Sequence, residues 1–335
     1  MRYLITGGAG FIGSHLADFL LAQGHEVMAL DDLSTGAAEN APRDPRFRLV
    51  IGSCGDPRAL GECMGWADAV FHLAAAVGVE LIVASPVRAI ETNVAPTELV
   101  LREAAKRGTK VLFASTSEVY GKSAKVPFSE NDDAVIGPPV RGRWAYACSK
   151  LLGEFLALAY WKERRVPVVV ARLFNTVGPR QSGRYGMVLP RFIDQALSGG
   201  PITVYGDGTQ TRCFTYVGDV VRGLVALVEA PAAVGEIVNL GSREEISIRA
   251  LAERVRERLA PQVEIVQVPY EKAYEPGFED MSRRVADISK ARRLIGWEPK
   301  IGLDAIIDEV AQWKRRPAGP PEAQAFRVSR EGGRS

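Results

Sequence analysis

"MRYLITGGAGFIGSHL" (residues 1–16) decides how this chain folds. Its first part, "RYLIT" (2–6), is an apolar run of strand length, and "GSHLADFLLAQG" (13–24) carries helical spacing. Between them Gly7, Gly10 and Gly13 stand in GxxGxxG order, and Phe11 and Ile12 lie inside the turn. A strand that passes through glycines straight into a helix aims backbone N–H groups at the positive helix end, where a pyrophosphate can sit. Gly13 lets the helix lie close on the strand.

The same alternation continues down the chain. Strands are expected at 26–30, 47–51, 69–74, 110–115 and 167–173, and long helices at 86–108 and 144–165. Strand followed by helix, repeated, predicts an α/β fold with a doubly wound parallel sheet covered on both faces. Beyond residue 175 the elements shorten, with strands at 201–206 and 235–241 and helices at 188–199 and 247–260. This predicts a dinucleotide-binding domain over 1–175, to which later segments return, a smaller α/β substrate lobe over 176–314, and a mobile Pro-, Gly- and Arg-rich tail over 315–335.

Composition removes several function classes. The 335 residues are 47% hydrophobic and 24% charged, enough for a large core, and a net charge of +2 without a basic block gives no argument for nucleic acid or a membrane surface. Four cysteines without CxxC pairing and three histidines indicate neither a metal site nor a disulfide framework. No basic, apolar leader opens the sequence and no apolar run reaches the roughly 18 residues of a membrane span, so a cytoplasmic protein is expected.

Asp31 in "LDDLSTG" ends the second strand eighteen residues beyond Gly13. A carboxylate there can accept both ribose hydroxyls and repels a 2′-phosphate, which favours NAD over NADP. Asp32 is either a second cofactor contact or a loop acid. "HLAAA" (72–76) ends another strand in small residues, and Leu73, Ala74 and Ala75 let a cofactor lie close.

In "YACSK" Tyr146 and Lys150 are four apart and share a helix face. A phenol is a weak base at neutral pH; lowering its pKa by about three units takes roughly 4 kcal/mol, within reach of two nearby cations at a partly buried site. "ASTSEVYG" (114–121) places Thr116, Ser117 and Glu118 behind a strand.

Together these motifs resemble the extended short-chain dehydrogenase/reductases that act on nucleotide sugars. The likeness also rests on "RLFNTVGPRQ", "YGDGTQTRCFTYVGDV" and "IGWEPK" and runs over residues 1–313. It implies a Rossmann lobe holding NAD and a second lobe holding a nucleoside diphosphate sugar. It further implies that Tyr146 removes a proton from the sugar 4-hydroxyl, Lys150 tunes Tyr146, and Thr116 bonds the reacting oxygen. By the same resemblance Asn175 and Arg212 bind the diphosphate, and the segment around Val188 holds the base.

Thr-Ser-Glu at 116–118 resembles UDP-glucuronate decarboxylases. Dehydratases carry an aspartate where this chain has Ser117, and C4 epimerases carry a small residue where it has Glu118. The resemblance therefore implies that C4 oxidation makes a β-keto acid, that Ser117 contacts its carboxylate, and that Glu118 handles the proton returned to C5. Arg284 aligns with the arginine that reaches that carboxylate, Arg283 is its neighbour, and Ala286 replaces a usual proline. UDP-sugar or UDP-uronate 4-epimerisation is the alternative, and an idle binding protein a remote one. Relatives pair through two helices, which here are 86–108 and 144–165, so a homodimer is expected.

Overall fold

Short apolar segments buried on both faces must satisfy their backbones against one another, and here they do so in one direction. The computed structural model describes residues 1–77, 85–183, 187–273, 281–316 and 326–327. Its first part runs β1 (Arg2–Thr6), α1 (Phe11–Ala22), β2 (Glu26–Asp31), β3 (Phe47–Ile51), α2 (Pro57–Trp66), β4 (Ala69–His72), α3 (Pro86–Arg107), β5 (Lys110–Thr116), α4 (Trp144–Arg164) and β6 (Val168–Leu173). Then follow β7 (Thr176–Val177), α5 (Val188–Leu197), β8 (Ile202–Tyr205), β9 (Thr211–Cys213), β10 (Thr215–Tyr216) and α6 (Val217–Glu229). The last are β11 (Ile237–Leu240), β12 (Glu245–Ser247), α7 (Ile248–Leu259), β13 (Ile265–Val268), α8 (Ser289–Ile295), α9 (Leu303–Lys314) and β14 (Phe326–Arg327).

The central sheet has the order β11-β6-β5-β4-β1-β2-β3-β14, and each neighbouring pair is parallel. Chain order reverses between β1 and β4, which opens a crevice at the carboxyl ends of these strands. Thr6 pairs with Leu30 on one side and His72 on the other, so the glycine turn, Asp31 and the "LAAA" segment leave the sheet at one edge.

Alternation along β1 divides the core. Tyr3 and Ile5 pack with Leu16 and Leu20 of α1 and Val220 and Leu224 of α6, while Leu4 packs on the other face with Leu60, Met64 and Val100. Each such side chain contributes about 1.5–3 kcal/mol by leaving water. A separate core joins Leu189 and Phe192 of α5, Ile202 and Val204 of β8, Leu251 and Val255 of α7, and Ile306 and Val310 of α9.

Local chemistry sets the helix ends. Asp56 caps α2 by accepting from the N–H of Arg58 at 2.9 Å, with Pro57 behind it, and Ser247 caps α7 through the N–H of Ala250 at 3.1 Å. Gly108 ends α3 in the left-handed region. The expected strand at 69–74 stops at His72, because Leu73 and Ala74 turn toward the glycine loop. Phe326–Arg327 pairs with β3; the rest of the tail beyond Arg316 lies outside the described residues. Among the described residues no helix is long and apolar enough to cross a membrane, and no cluster of His, Cys, Asp and Glu is suited to a metal ion.

Candidate active site

The crevice is shaped by what a Cβ would strike. Gly7 has φ +75°, and a side chain there would meet the Ala74 nitrogen at 2.9 Å; one at Gly13 would meet the Gly7 carbonyl oxygen at 2.2 Å. The glycines thus bring β1, α1 and the strand-end Leu73–Ala75 together at van der Waals contact. Gly10 precedes the first turn of α1, which begins with Phe11 and Ile12. Asp31 is buried, and its carboxylate accepts from the N–H of Ala9 at 2.9 Å and of Leu33 at 2.8 Å. A carboxylate has about four lone-pair sites, so both oxygens keep capacity for ribose hydroxyls. Burial raises its pKa, opposed by the Leu33 and Ala9 amides. Asp32 is exposed and accepts from Ser34 N–H at 2.9 Å, the behaviour of a loop acid.

Thr116, Tyr146 and Glu118 converge at the end of β5. The Thr116 hydroxyl accepts from the Glu118 N–H at 3.2 Å and hydrogen-bonds the Tyr146 phenol. Ser117 is buried at the start of the short turn that follows. Tyr146 is 7% exposed; desolvation raises its pKa, the Glu118 charge adds to this, and Thr116 and Arg284 oppose it.

Lys150 departs from the expected pairing. Its ammonium donates to the Ala114 carbonyl at 2.9 Å and lies 4.8 Å from the centre of the Phe113 ring. Burial brings its pKa down to about 8. Arg284 is the cation whose charge opposes the rise in the Tyr146 pKa, while Lys150 is anchored to β5.

Glu118 joins three elements. Its Oε2 lies 3.1 Å from Nη1 of Arg143 and its Oε1 3.5 Å from Nη1 of Arg284. Arg143 had drawn no notice in the sequence, although "RGRW" puts two arginines immediately before α4. Arg283 is engaged elsewhere: it forks onto Glu245 at 2.7 and 2.8 Å and holds that carboxyl at about 2. Arg284 is therefore the arginine that faces the site. Ala286 leaves its loop path intact, since the backbone bridge to Phe128 uses the Val285 carbonyl and the Asp287 N–H. The bridge does not use the N–H of position 286.

The residues expected to bind the diphosphate and the base are each held by neighbouring elements. Asn175, at φ +30°, donates to the Cys213 carbonyl at 3.0 Å and so ties β6 to β9. Arg212 is buried in β9 and donates to the Thr211 carbonyl at 2.7 Å. Val188 begins α5 and packs on the smaller core.

The model of the NAD dependent epimerase/dehydratase family matches residues 3–241. The chain belongs to that family. Its cofactor is NAD, and the glycine turn and the buried Asp31 carboxylate fit that dinucleotide. Within the family the chain is 42% identical over 316 residues to a UDP-N-acetyl-alpha-D-glucosaminuronate decarboxylase of Bacillus cytotoxicus, which covers 94% of this chain and 98% of that protein. It is 37% identical over 318 residues to UDP-glucuronic acid decarboxylase 1 of Danio rerio, over 94% of this chain and 73% of that one. The crystal structure of a UDP-glucuronic acid 4-epimerase from Bacillus cereus, with UDP-glucuronic acid and NAD, matches at TM-score 0.80 and 30% identity over 93% and 98% of the two chains.

Proposed function

We propose that this family member decarboxylates UDP-glucuronate through a 4-keto intermediate, giving UDP-xylose or its 4-keto pentose. The observation that carries this reading is the buried Arg284 guanidinium facing Glu118 beside Thr116 and Tyr146. NAD, when bound, supplies the acceptor and later the donor of the C4 hydride.

The remaining work falls to the chain. Tyr146 takes the proton of the 4-hydroxyl, and the Thr116 hydroxyl, already bonded to the phenol, holds the same oxygen. Arg284 forks onto the sugar carboxylate, with Ser117 beside it. Once C4 is a carbonyl, the C5–C6 bond breaks, its electron pair enters that carbonyl as an enolate, and CO2 departs. Glu118 then passes a solvent proton to C5. Asn175 and Arg212 serve the diphosphate, and Val188 lies by the base.

Two observations support nearby readings. The Bacillus cytotoxicus relative favours a 2-acetamido uronate as substrate, and the Bacillus cereus structure favours C4 epimerisation with the carboxylate kept. Incubation of the purified protein with NAD and either UDP-uronate, followed by CO2 release and NMR of the product, separates them. CO2 with a pentose product is expected; a C4 epimer retaining its carboxyl carbon refutes decarboxylation.

The protein is read as cytoplasmic and as a homodimer. Val87 and Ile90 of α3 and Leu152 and Phe155 of α4 are exposed apolar side chains on two adjacent helices, suited to a second copy of the same pair.

A further inference from the structure

Among the described residues two arginines pair with Glu118, and they hold it unequally. Arg284 stands at 3.5 Å, the limit of a hydrogen bond, whereas Arg143 stands at 3.1 Å. Arg143 is also held on its own account. Its side chain is 5% exposed, its guanidinium lies 4.9 Å from the centre of the Trp144 ring, and that ring is packed so tightly on Gly137 that a Cβ there would come within 2.1 Å of it. Arg143 immediately precedes α4, the helix that carries Tyr146 and Lys150. Among the described residues the groups that act on Glu118 include Arg143, Arg284 and the Tyr146 phenol.

Building on the decarboxylase reading, we propose that Arg143 is a positioning residue: it keeps Glu118 aimed at C5 when the sugar carboxylate takes over Arg284. The exchange leaves neither carboxylate without a guanidinium. Before substrate, Glu118 spans both guanidinium groups; afterwards the uronate holds Arg284 and Glu118 stays on Arg143. Because Arg143 is joined rigidly to the helix bearing Tyr146, the group that handles the C5 proton and the group that handles the O4 proton are set in one frame. Without Arg143, Glu118 swings onto Arg284 and competes with the substrate.

Arg143→Met and Arg143→Lys test this with NAD and UDP-glucuronate in D2O. The methionine variant is expected to lose about ten- to a hundredfold in kcat, the scale of a reacting group displaced by about 1 Å, and to show a raised KM for UDP-glucuronate because Glu118 competes for Arg284. Deuterium at C5, confined to one of the two positions in the wild-type product, becomes scrambled, and Arg143→Lys restores both rate and stereochemistry. An unscrambled product, or a loss that lysine does not repair, overturns the proposal. A second measurement needs no turnover: in a Tyr146→Phe background, the preference for binding UDP-glucuronate over UDP-glucose falls when Arg143 becomes methionine. An unchanged preference also counts against the proposal. A wild-type protein that releases no CO2 sinks the decarboxylase reading instead, and the binding preference still decides the role of Arg143.

Discussion

Replacing Gly13 with alanine tests the cofactor cradle at the point where the backbone has least room. The new Cβ would lie 2.2 Å from the Gly7 carbonyl oxygen and 2.8 Å from the Gly8 Cα. Ordinary contact begins near 3.4 Å, so the start of α1 and the glycine turn must part by 1.2 Å, the difference between 3.4 and 2.2. Neither obstacle is a flexible side chain. Overpacking of this kind costs about 1–3 kcal/mol, and two backbone segments that cannot swing aside put the cost toward the upper end.

The same displacement acts on binding. An N–H···O bond near 2.9 Å stretched by about 1 Å is no longer a hydrogen bond. One such bond to a charged phosphate oxygen is worth about 1.5–3 kcal/mol, so NAD affinity should fall roughly ten- to a hundredfold. Gly61→Ala is the matched control: Gly61 lies inside α2, and a Cβ there meets nothing within 4 Å. It should add up to about 1 kcal/mol of helix propensity and leave NAD binding alone. Thermal midpoints and NAD titration by calorimetry, on protein stripped of bound nucleotide, compare the two variants. If Gly13→Ala binds NAD within about threefold of wild type and melts no lower than Gly61→Ala, the cradle geometry is wrong.

Two further outcomes follow from other parts of the structure. His72 is fully buried between the hydroxyls of Thr6, at 2.7 Å, and Thr97, at 3.0 Å, and burial lowers its pKa to about 3. The unfolded chain binds this proton from about pH 6.5 downward and the folded chain does not, so stability falls with acidification, by at most about 2–3 kcal/mol by pH 4.5. Unfolding at pH 7 and pH 4.5 should show a smaller drop in His72→Asn; an equal drop in both proteins would reject this origin. Phe155→Glu, at a side chain 66% exposed, should shift the protein from dimer to monomer in sedimentation while leaving its melting temperature nearly unchanged, and a protein that sediments as a monomer before the change rules out the proposed interface.

The sequence was most legible where one local pattern suffices. β1, the glycine turn and α1 are neighbours in the chain, and so are Tyr146 and Lys150, so spacing alone places them. The 13-residue α6, "VGDVVRGLVALVE", was not anticipated although its signal is local: Val217, Val220, Val221, Leu224, Val225 and Val228 stand at helical spacing and are buried. α2 was missed because it is short, ten residues interrupted by glycines at 61 and 65, and its signal lay in the Asp56-Pro57 start. Lys150 shows a third limit. Helical spacing correctly put it on the face of Tyr146, but only the fold reveals that the Ala114 carbonyl holds its ammonium.

Glu118 and its two arginines set out the same limit for function. Glu118 could be singled out because it follows Thr116 at the end of a strand. Its partners lie 25 and 166 residues away, one at the entry to α4 and the other in a loop fixed by Phe128. Nothing local distinguishes Arg143 from Arg141, and only the resemblance chose Arg284 over Arg283; burial separates them, since Arg143 and Arg284 are buried whereas Arg283 is spent on Glu245 at the surface. A carboxylate brought into such a place would be costly unless cations came with it. The fold supplies them from two directions, one at the entry to the helix that holds the phenol and one in the loop bridged to Phe128. On the proposed reading this arrangement lets a second carboxylate enter beside the first without leaving either unpaired, and a neutral hexose would gain nothing from it.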